Sequence, residues 1–456
     1  MVATLVEQVE KCISQKGFSS VEAKPMSILV GYSGGVDSQV LLHIFAELRN
    51  KLPELTVRAI HINHDLSPNA DQWQAHCRQY CDVLHIPFIA EKVQIDKQKG
   101  GIEAAARTVR YDMYRRHLQQ HEVLALAHHQ DDQAETVLYR LMRGAGVKGL
   151  SGMTVAKGPF FDGAVDSREA INIIRPLLLS TKEQIIQYAK DNGLSWVEDE
   201  SNENIHFSRN FLRHKILPEM EKHWPHAANS IARASRHCQE ADELCGELAQ
   251  QDAALCMGKQ GRLLVEKIHQ LSDIRQRNLL RYWIQYLSLP MPSESVLGNI
   301  QNELLNADES AQPLVVWGNA EARRFQSELY LMRSLSATDK QQSVSWDAIS
   351  PINWKPLQKT IEVRESNVGL SKRYQGQLLS LSVRQGGERC RPSGRTGGSQ
   401  KLKKLFQEYG LEPWLRDLWP ILSYGDDIIA LPGLFVCEHA MGDANDNDNL
   451  NLSLVP

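Results

Sequence analysis

The period of the apolar positions changes along this chain, and the changes divide it. In the first half, short apolar runs alternate with amphipathic stretches. Ser27–Tyr32, Val57–Asn63, Pro87–Val93 and Val123–Ala127 read as strands. Val36–Arg49, Ala70–Leu84, Ile102–Gln119 and Gln130–Arg143 carry apolar residues at helical spacing. Strands alternating with helices of this length predict an α/β fold, a parallel sheet with helices on both faces. Ligands of such sheets bind beyond the carboxyl ends of the strands. Three segments there carry unusual polar residues: Ser33–Ser38, Asn63-His64-Asp65 and His128-His129-Gln130-Asp131-Asp132. Their shared location predicts one site rather than three.

Periodicity then fades. Gly144–Ala170 is glycine-rich and reads as a long surface loop, with an unpatterned insert at 158–170. Order resumes at Arg175-Pro176-Leu177-Leu178, and helix Lys182–Asn192 follows with Gly193 as its C-cap. Pro218 and His223-Trp224-Pro225 suggest a boundary, so residues 1–217 are read as one catalytic domain. From Ala227 to Leu289 the pattern is helical, with Ile231, Ala234, Cys238, Ala241 and Cys245 three or four apart. An all-helical domain is expected over 218–335. Polar Ser334–Ser343 reads as a linker, 345–442 as a small α+β domain, and Asp443–Pro456 as a disordered tail.

The chain has 456 residues, 42% of them hydrophobic and 23% charged, which is ordinary for a soluble multidomain protein. Net charge is −4, so nucleic acid would have to be met by local basic patches. Eight scattered cysteines include no CxxC pair, which argues against a disulfide framework or zinc site. Cys77 and Cys81 are four apart, a helix spacing that suits core packing. Met1–Gln15 has acidic residues and no apolar core, so no secretory leader is expected. No apolar stretch approaches the roughly 18 residues of a membrane span. A cytoplasmic protein without membrane contact is the expectation.

The chemistry concentrates in a few motifs. Ser33-Gly34-Gly35-Val36-Asp37-Ser38 lies between strand and helix, where backbone N–H groups converge at the positive end of a helix dipole. It lacks the lysine of the common phosphate loop. It resembles instead the pyrophosphatase loop of enzymes that cleave ATP between the α- and β-phosphates. Asp37 would repel phosphates unless a cation intervenes, so it reads as a Mg²⁺ ligand; the alternative is an aspartate complementing the dipole. Asp132 and Glu135, three apart on a helix, share a face, and Asp131 and Glu135 share the next. Such carboxylates suit magnesium or a substrate ammonium group, or else form a solvated acidic helix start. The pair His128-His129 is not needed for capping, which favours function. Arg107 and Arg110 share a helix face with Tyr111 beside them, and can clamp phosphates or simply be solvated.

Glu198-Asp199-Glu200-Ser201-Asn202 can attract a cationic substrate. Arg209 and Arg213 after it, one turn apart, fit RNA phosphates or a loop salt bridge. Between Arg384 and Arg416, eight Lys or Arg face three acids. Its core is Arg389, Arg391, Lys401, Lys403 and Lys404, with Phe406, Tyr409, Trp414 and Trp419 interleaved or following. That is the footprint of a nucleic-acid surface, or of a solvated basic face.

Taken together the motifs resemble those of the bacterial tRNA(Ile)-lysidine synthetases in their long, three-domain form, within the PP-loop ATP pyrophosphatase superfamily. The matching stretches are Ser33–Ser38, Ile60–His64, Glu103–Tyr111, Ala127–Leu150, Arg175–Leu178, Glu198–Leu212 and Lys401–Phe406. The most specific are His128–Thr136 with Arg143-Gly144-Ala145-Gly146, and Asp199-Ser201-Asn202 with Arg209-Asn210. The insert near Pro159–Ala170 is longer and less patterned than the family leads one to expect. The resemblance implies a PP-loop catalytic domain followed by two tRNA-binding domains. It implies that ATP and Mg²⁺ adenylate the C2 oxygen of the wobble cytidine in an isoleucine tRNA with a CAU anticodon. The ε-amine of free L-lysine then displaces AMP, and the lysidine formed pairs with A rather than G, so AUA is read instead of AUG. A homodimer is also implied.

On that reading Ser33, Gly34, Gly35, Val36, Asp37, Ser38 and His61 hold the nucleotide, and Asp37 and Asp132 hold the metal. Arg107 and Arg110 stabilise phosphate charge, Asp132 and Glu135 receive the lysine ammonium, and Glu135 or His128 is the base. Arg209, Asn210, Arg213 and the patch Arg389, Arg391, Lys401, Lys403 and Lys404 contact tRNA. The rivals are another PP-loop tRNA-modifying enzyme such as a thiolase, disfavoured by the missing CxxC, and a non-catalytic RNA-binding protein, disfavoured by the intact motifs.

Overall fold

The computed structural model describes residues 4–14, 26–65, 67–94, 102–158, 171–203, 205–206, 208–258, 261–308, 311–334, 343–443 and 449–455. They form two compact units, Met1–Cys245 and Gly246–Pro456. The insert at 159–170 and most of the expected linker, 335–342, lie outside the described residues.

The first unit is built on a six-stranded sheet. Its strands are β1 (Ser27–Gly31), β2 (Thr56–Asn63), β3 (Phe88–Lys92), β4 (Glu122–Ala125), β5 (Ala156–Lys157) and β6 (Ile173–Ile174), in the order β3-β2-β1-β4-β6-β5. All neighbours are parallel except β5 against β6. Side chains alternate across a strand, and β1 shows the consequence. Ile28 and Val30 enter one core, while Leu29 between them enters the opposite one. The first core is closed by α1 (Leu5–Ser14), α2 (Val36–Lys51) and α3 (Ala70–Val83), the second largely by α4 (Ile102–His117) through Tyr114. Each fully buried Val, Leu or Ile there contributes roughly 1.5–3 kcal/mol. Glu122 is buried at the start of β4, where Arg58 meets its charge at 2.6 Å.

After β4 come α5 (Gln130–Leu141), α6 (Val147–Leu150) and α7 (Lys182–Asp191). Helix α7 opens with a reciprocal capping box. Gln184 N donates to Thr181 Oγ1 at 3.3 Å, and Thr181 N donates to Gln184 Oε1 at 2.9 Å. It ends at Gly193, φ 61°, as expected of a C-cap glycine. Then follow α8 (Ser208–Phe211), a π-helical turn Leu212–Ile216, α9 (Leu217–His223) and the long α10 (Ala227–Cys256). The expected domain break at 217/218 lies at the start of α9. Pro218 occupies the first turn of α9, where its missing N–H costs nothing, and the division between units falls within α10.

The second unit corrects two expectations. The middle segment is helical in α11 (Val265–Ile268), α12 (Asp273–Tyr286) and α13 (Glu294–Asn299), but it is not all-helical. Strands β7 (Leu263–Leu264), β8 (Leu314–Trp317), β9 (Ala320–Phe325) and β10 (Glu328–Arg333) form an antiparallel sheet in the order β7-β10-β9-β8. In β8, Val315 and Trp317 point inward while Leu314 and Val316 are exposed, a period of two that the preceding helical pattern overshadowed.

The described part of the expected tail is not disordered either. Asn449–Val455 is a strand paired with Lys359–Ser366 at seven positions and with Leu370–Ser371 at two. Leu450 and Leu452 fill the core beneath it, so alternation outweighs the Asp- and Asn-rich approach. Residues 444–448 of that approach lie outside the described residues. Among the described residues no helix is long and apolar enough to cross a membrane.

Candidate active site

The carboxyl ends of β2, β1, β4 and β6 lie side by side, and the polar loops meet there. Tyr32 N continues the ladder by donating to Ile60 O at 2.8 Å. The chain then turns at Gly34, φ 90°, in a left-handed region that favours glycine. A Cβ at Gly34 would also approach Cys77 Sγ to 2.9 Å. The turn is closed by its serines. Ser33 N donates to Ser38 Oγ at 3.2 Å, and Ser38 Oγ donates to Gly35 O at 3.0 Å. No side chain caps α2, so its first N–H groups and dipole face the loop.

Asp37, in the first turn of α2, lies 2.6 Å from Lys182 Nζ on α7 and 3.8 Å from His129 Nε2. His129 Nε2 is in turn 3.5 Å from Asp132 Oδ2. The imidazole therefore sits between two carboxylates. The expectation that the histidine pair does no capping is corrected. His129 caps α5, accepting Asp131 N at Nδ1, while Asp132 Oδ2 accepts His129 N at 3.0 Å. Because Nδ1 accepts, the ring proton lies on Nε2 and faces both carboxylates.

Arg213 joins Asp132 to Glu135. Its Nε lies 2.6 Å from Glu135 Oε1, its Nη2 3.1 Å from Glu135 Oε2 and 3.0 Å from Asp132 Oδ1. The Glu135 side chain is 1% exposed. Burial holds Glu135 above the usual carboxylate range despite Arg213. Burial also pushes Asp132 up, but His129, His128 and Arg213 outweigh it and the net shift is downward. Neighbouring carboxylates pushed apart in this way suit one as a standing anion and the other as a proton acceptor. Burial pushes His128 down to about 3. A base that weak leaves Glu135 the better candidate.

Other expected residues fall into distinct places. Arg107 stacks on Tyr111 at 4.9 Å and is among the charges acting on His128. Arg110 acts instead on His64, which burial first and then Arg110 push down to about 4. His61 is buried beneath the loop and donates from Nδ1 to Tyr32 O at 3.0 Å, so it braces the turn rather than facing a ligand. Arg209 donates to Thr136 Oγ1 at 2.9 Å. Asn210 lies beside it on α8. Arg213 corrects the reading of this segment, because it is turned onto the carboxylates of α5 rather than presented as a phosphate contact. Glu198–Glu200 leaves directly from the loop, since Val197 N donates to Gly34 O at 2.9 Å.

Sequence reasoning missed Lys182. Its only signal is its position just after Thr181, at the start of a helix that follows a strand.

Three family models match this chain: a PP-loop domain over residues 3–220, a TilS substrate binding domain over 263–330, and a TilS substrate C-terminal domain over 379–453. A tRNA(Ile)-lysidine synthase of Coxiella burnetii is 39% identical over 411 residues, covering 90% of this chain and 89% of the relative. One of Escherichia coli O157:H7 is 38% identical over 418 residues, covering 91% and 94%. The chain belongs to the tRNA(Ile)-lysidine synthase family.

Members of the PP-loop superfamily use ATP, and Mg²⁺ is commonly held by one or two carboxylates together with substrate phosphates. Asp37 and Asp132, flanking His129 beside the loop, fit that donor set. Among the described residues no three His, Cys, Asp or Glu side chains form an all-protein metal site.

In the second unit, strand Arg389–Cys390 pairs with strand Gln400–Lys401, which sets Arg389 opposite Lys401. Lys401, Lys403 and Lys404 are exposed at the start of helix Leu402–Glu408. Arg389 Nη2 donates to Ser399 O at 2.7 Å, and Arg391 is ion-paired to Glu438 at 2.6 Å without hydrogen-bond alignment. The expected aromatic interleaving is corrected. Phe406 and Trp419 are core residues, and Trp414 packs edge-on against Tyr330 at 5.0 Å, leaving Tyr409 partly exposed.

Proposed function

We propose that this chain is an ATP-dependent ligase that converts the wobble cytidine of a CAU-anticodon isoleucine tRNA to lysidine, releasing AMP and pyrophosphate. The observation that carries the reading is the meeting of two devices at neighbouring strand ends. One is the glycine-serine loop after β1; the other is the Asp132–Glu135 pair after β4.

The C2 carbon of cytosine is weakly electrophilic and needs a better leaving group than its own oxygen. That oxygen attacks the α-phosphorus of ATP, and pyrophosphate departs from the N–H groups of Ser33–Ser38. Asp37 and Asp132 would hold Mg²⁺, which when bound offsets charge on the departing pyrophosphate. Arg107 and Arg110 add positive charge beside the phosphates. The amine of lysine then attacks C2, the C2–O bond breaks, and AMP leaves. Glu135 takes the amine proton, and Asp132 matches the substrate's positive charge.

A thiolase reading is weaker on physical grounds. Cys77 and Cys81 are fully buried, and burial pushes both thiols up to about 12, far from a reactive thiolate. Incubation with ATP, CAU-anticodon tRNA and labelled lysine should give a modified nucleoside whose mass has gained lysine minus water. Labelling from a sulfur donor instead would overturn the proposal.

The patch at Lys401, Lys403 and Lys404 is read as a tRNA-backbone contact. Changing all three to Ala should raise the KM for tRNA and flatten log K against log salt by up to about 0.9 for each phosphate no longer neutralised. An unchanged slope would remove the patch from tRNA binding.

A further inference from the structure

Helix α5 is held on two faces, and only one of them carries reacting groups. At about 100° per residue, Asp132 and Glu135 lie on one side of the helix and Gln130 and Gln133 on the other. The first pair meets Arg213. The second pair meets α10. Gln130 Nε2 donates to Asn229 Oδ1 at 3.2 Å, and Gln133 Nε2 donates to Ser235 Oγ at 3.0 Å. Helix α10 supplies no reacting group, yet it backs the helix that does.

The tightest of these contacts is Gln133, which is 3% exposed. Met153 N donates to Gln133 Oε1 at 2.8 Å, and Gln133 Nε2 donates to Met153 O at 2.9 Å. A backbone N–H can only donate, so the amide has one orientation. Ser235 Oγ accepts the second N–H and passes its own proton to Ala232 O at 2.8 Å. Both N–H groups and the carbonyl are engaged, so the amide is a strut and not a substrate ligand. Segment Gly149–Met153 closes around it. Gly152 has φ 66°, and a Cβ there would come within 2.6 Å of Gln133 Nε2. Other ties hold the segment still. Arg140, about two turns further along α5, gives Nη1 to Gly149 O and Gly152 O at 2.9 and 3.0 Å. Gln239 of α10 gives Nε2 to Ser151 O and Met153 O at 2.7 and 2.9 Å. Arg175, buried after β6, gives Nη1 to Thr154 O at 2.9 Å.

We propose that Gln133 is a positioning residue for lysine transfer. By joining α5 to the Gly149–Met153 segment and to α10, it fixes the rotation of α5 and so the aim of Asp132 and Glu135. The inference rests on the roles proposed for those two carboxylates. Apolar packing does not fix this rotation by itself. Ala134 and Leu138 share a core with Leu212 and Ala228, but such contact is non-directional and tolerates a small turn of the helix. The three hydrogen bonds of one amide are directional and do not. Glu135 is two residues from Gln133, so a rotation that shifts one side of α5 by an ångström shifts the other by as much.

The test uses the full-length enzyme with ATP, lysine and CAU-anticodon tRNA. Gln133→Ala should lower kcat for lysine transfer about a hundredfold, as misplacing a reacting group by about 1 Å does, and leave the KM for ATP within about threefold. The acid limb of kcat should move to higher pH, because a looser Arg213 contact lets Glu135 ionise less readily. Arg213, Asp132 and Arg209 are the charges that act on that carboxyl. Ser235→Ala removes only the anchor on α10. It should lower kcat by about threefold, and adding it to Gln133→Ala should change nothing further. If Gln133→Ala does not fold, Ser235→Ala carries the test. A lower melting temperature with kcat and its pH profile unchanged would make Gln133 purely structural and overturn the proposal. A raised KM for ATP with kcat intact would overturn it as well. Failure of the parent reading is separate, because Glu135→Gln and Asp132→Asn would then leave lysine transfer intact.

Discussion

Replacing Arg213 by Gln should lower lysine transfer at least a hundredfold, destabilise the first unit by about 2 kcal/mol, and shift the pH–rate profile to higher pH. Arg213 is the cation that lets Glu135 remain charged with a side chain only 1% exposed. Removing one partner of a buried pair leaves an uncompensated charge, which typically costs 3–5 kcal/mol. Arg213 itself is 38% exposed, so solvent screens part of that figure. Glu135 already titrates above the carboxylate reference, so its contribution to stability is present below about 4.5 and lost as pH rises through its folded value. Without Arg213 that folded value moves further up. The variant should therefore approach the unmutated protein in acid and fall furthest behind it at neutral and alkaline pH. Asp132 has the same dependence from the other side, since the stability it draws from Arg213 exists above the reference and fades in acid. Denaturant unfolding at pH 5 and pH 8 measures the first effect. The acid limb of kcat, moved to higher pH by the weaker ionisation of Glu135, measures the second. A constant stability difference at both pH values would remove Glu135 from the account.

The alternation of strand and helix was legible because both signals are local. The expected Val36–Arg49 and Ala70–Leu84 differ from α2 and α3 by a residue or two at their ends. Ends are set by capping and by hydrogen bonds that reach across the chain, which periodicity does not contain. The misses share a different cause. In β8 and in the terminal strand the period of two was present, but each lay beside a stronger local bias, helix in one case and Asp/Asn in the other. What decides such strands is the partner, and the partner of Asn449–Val455 is Lys359–Ser366, far back in the chain.

The site was half legible for a related reason. Residue type at a strand end announced Asp37, Asp132 and Glu135, but not how their charges are compensated. The compensating cations come from elsewhere. Lys182 sits on a helix after β6, and Arg213 in the π-helical turn beyond α8. A sequence reads Arg209 and Arg213 as neighbours with one role. The wider π turn and the contacts it allows set Arg213 on Asp132 and Glu135, and Arg209 on Thr136. Arg175 left a trace only as the start of an ordered stretch, because nothing local says that its guanidinium turns inward.

Asp37→Asn should cut AMP release by a factor of about 100–1000 while leaving the fold intact and ATP binding within threefold. An anion in the first turn of α2 stands where phosphates must arrive, so it is useful only with a cation between them. Lys182 Nζ, at 2.6 Å, supplies one such charge. Both side chains are about 30% exposed, so breaking the pair should cost under about 1 kcal/mol of stability. The variant releases Lys182 toward the phosphates, which maintains ATP affinity, but it loses the carboxylate that would hold Mg²⁺ against them. The separation of kcat from the KM for ATP is therefore the signature, together with a requirement for more Mg²⁺. Lys182→Ala should show the converse, a raised KM for ATP with a smaller fall in kcat. The two variants then distinguish a carboxylate that binds metal from one that merely complements the helix dipole. A dipole partner alone would give Asp37→Asn a stability loss of a few tenths of a kcal/mol and nearly normal AMP release.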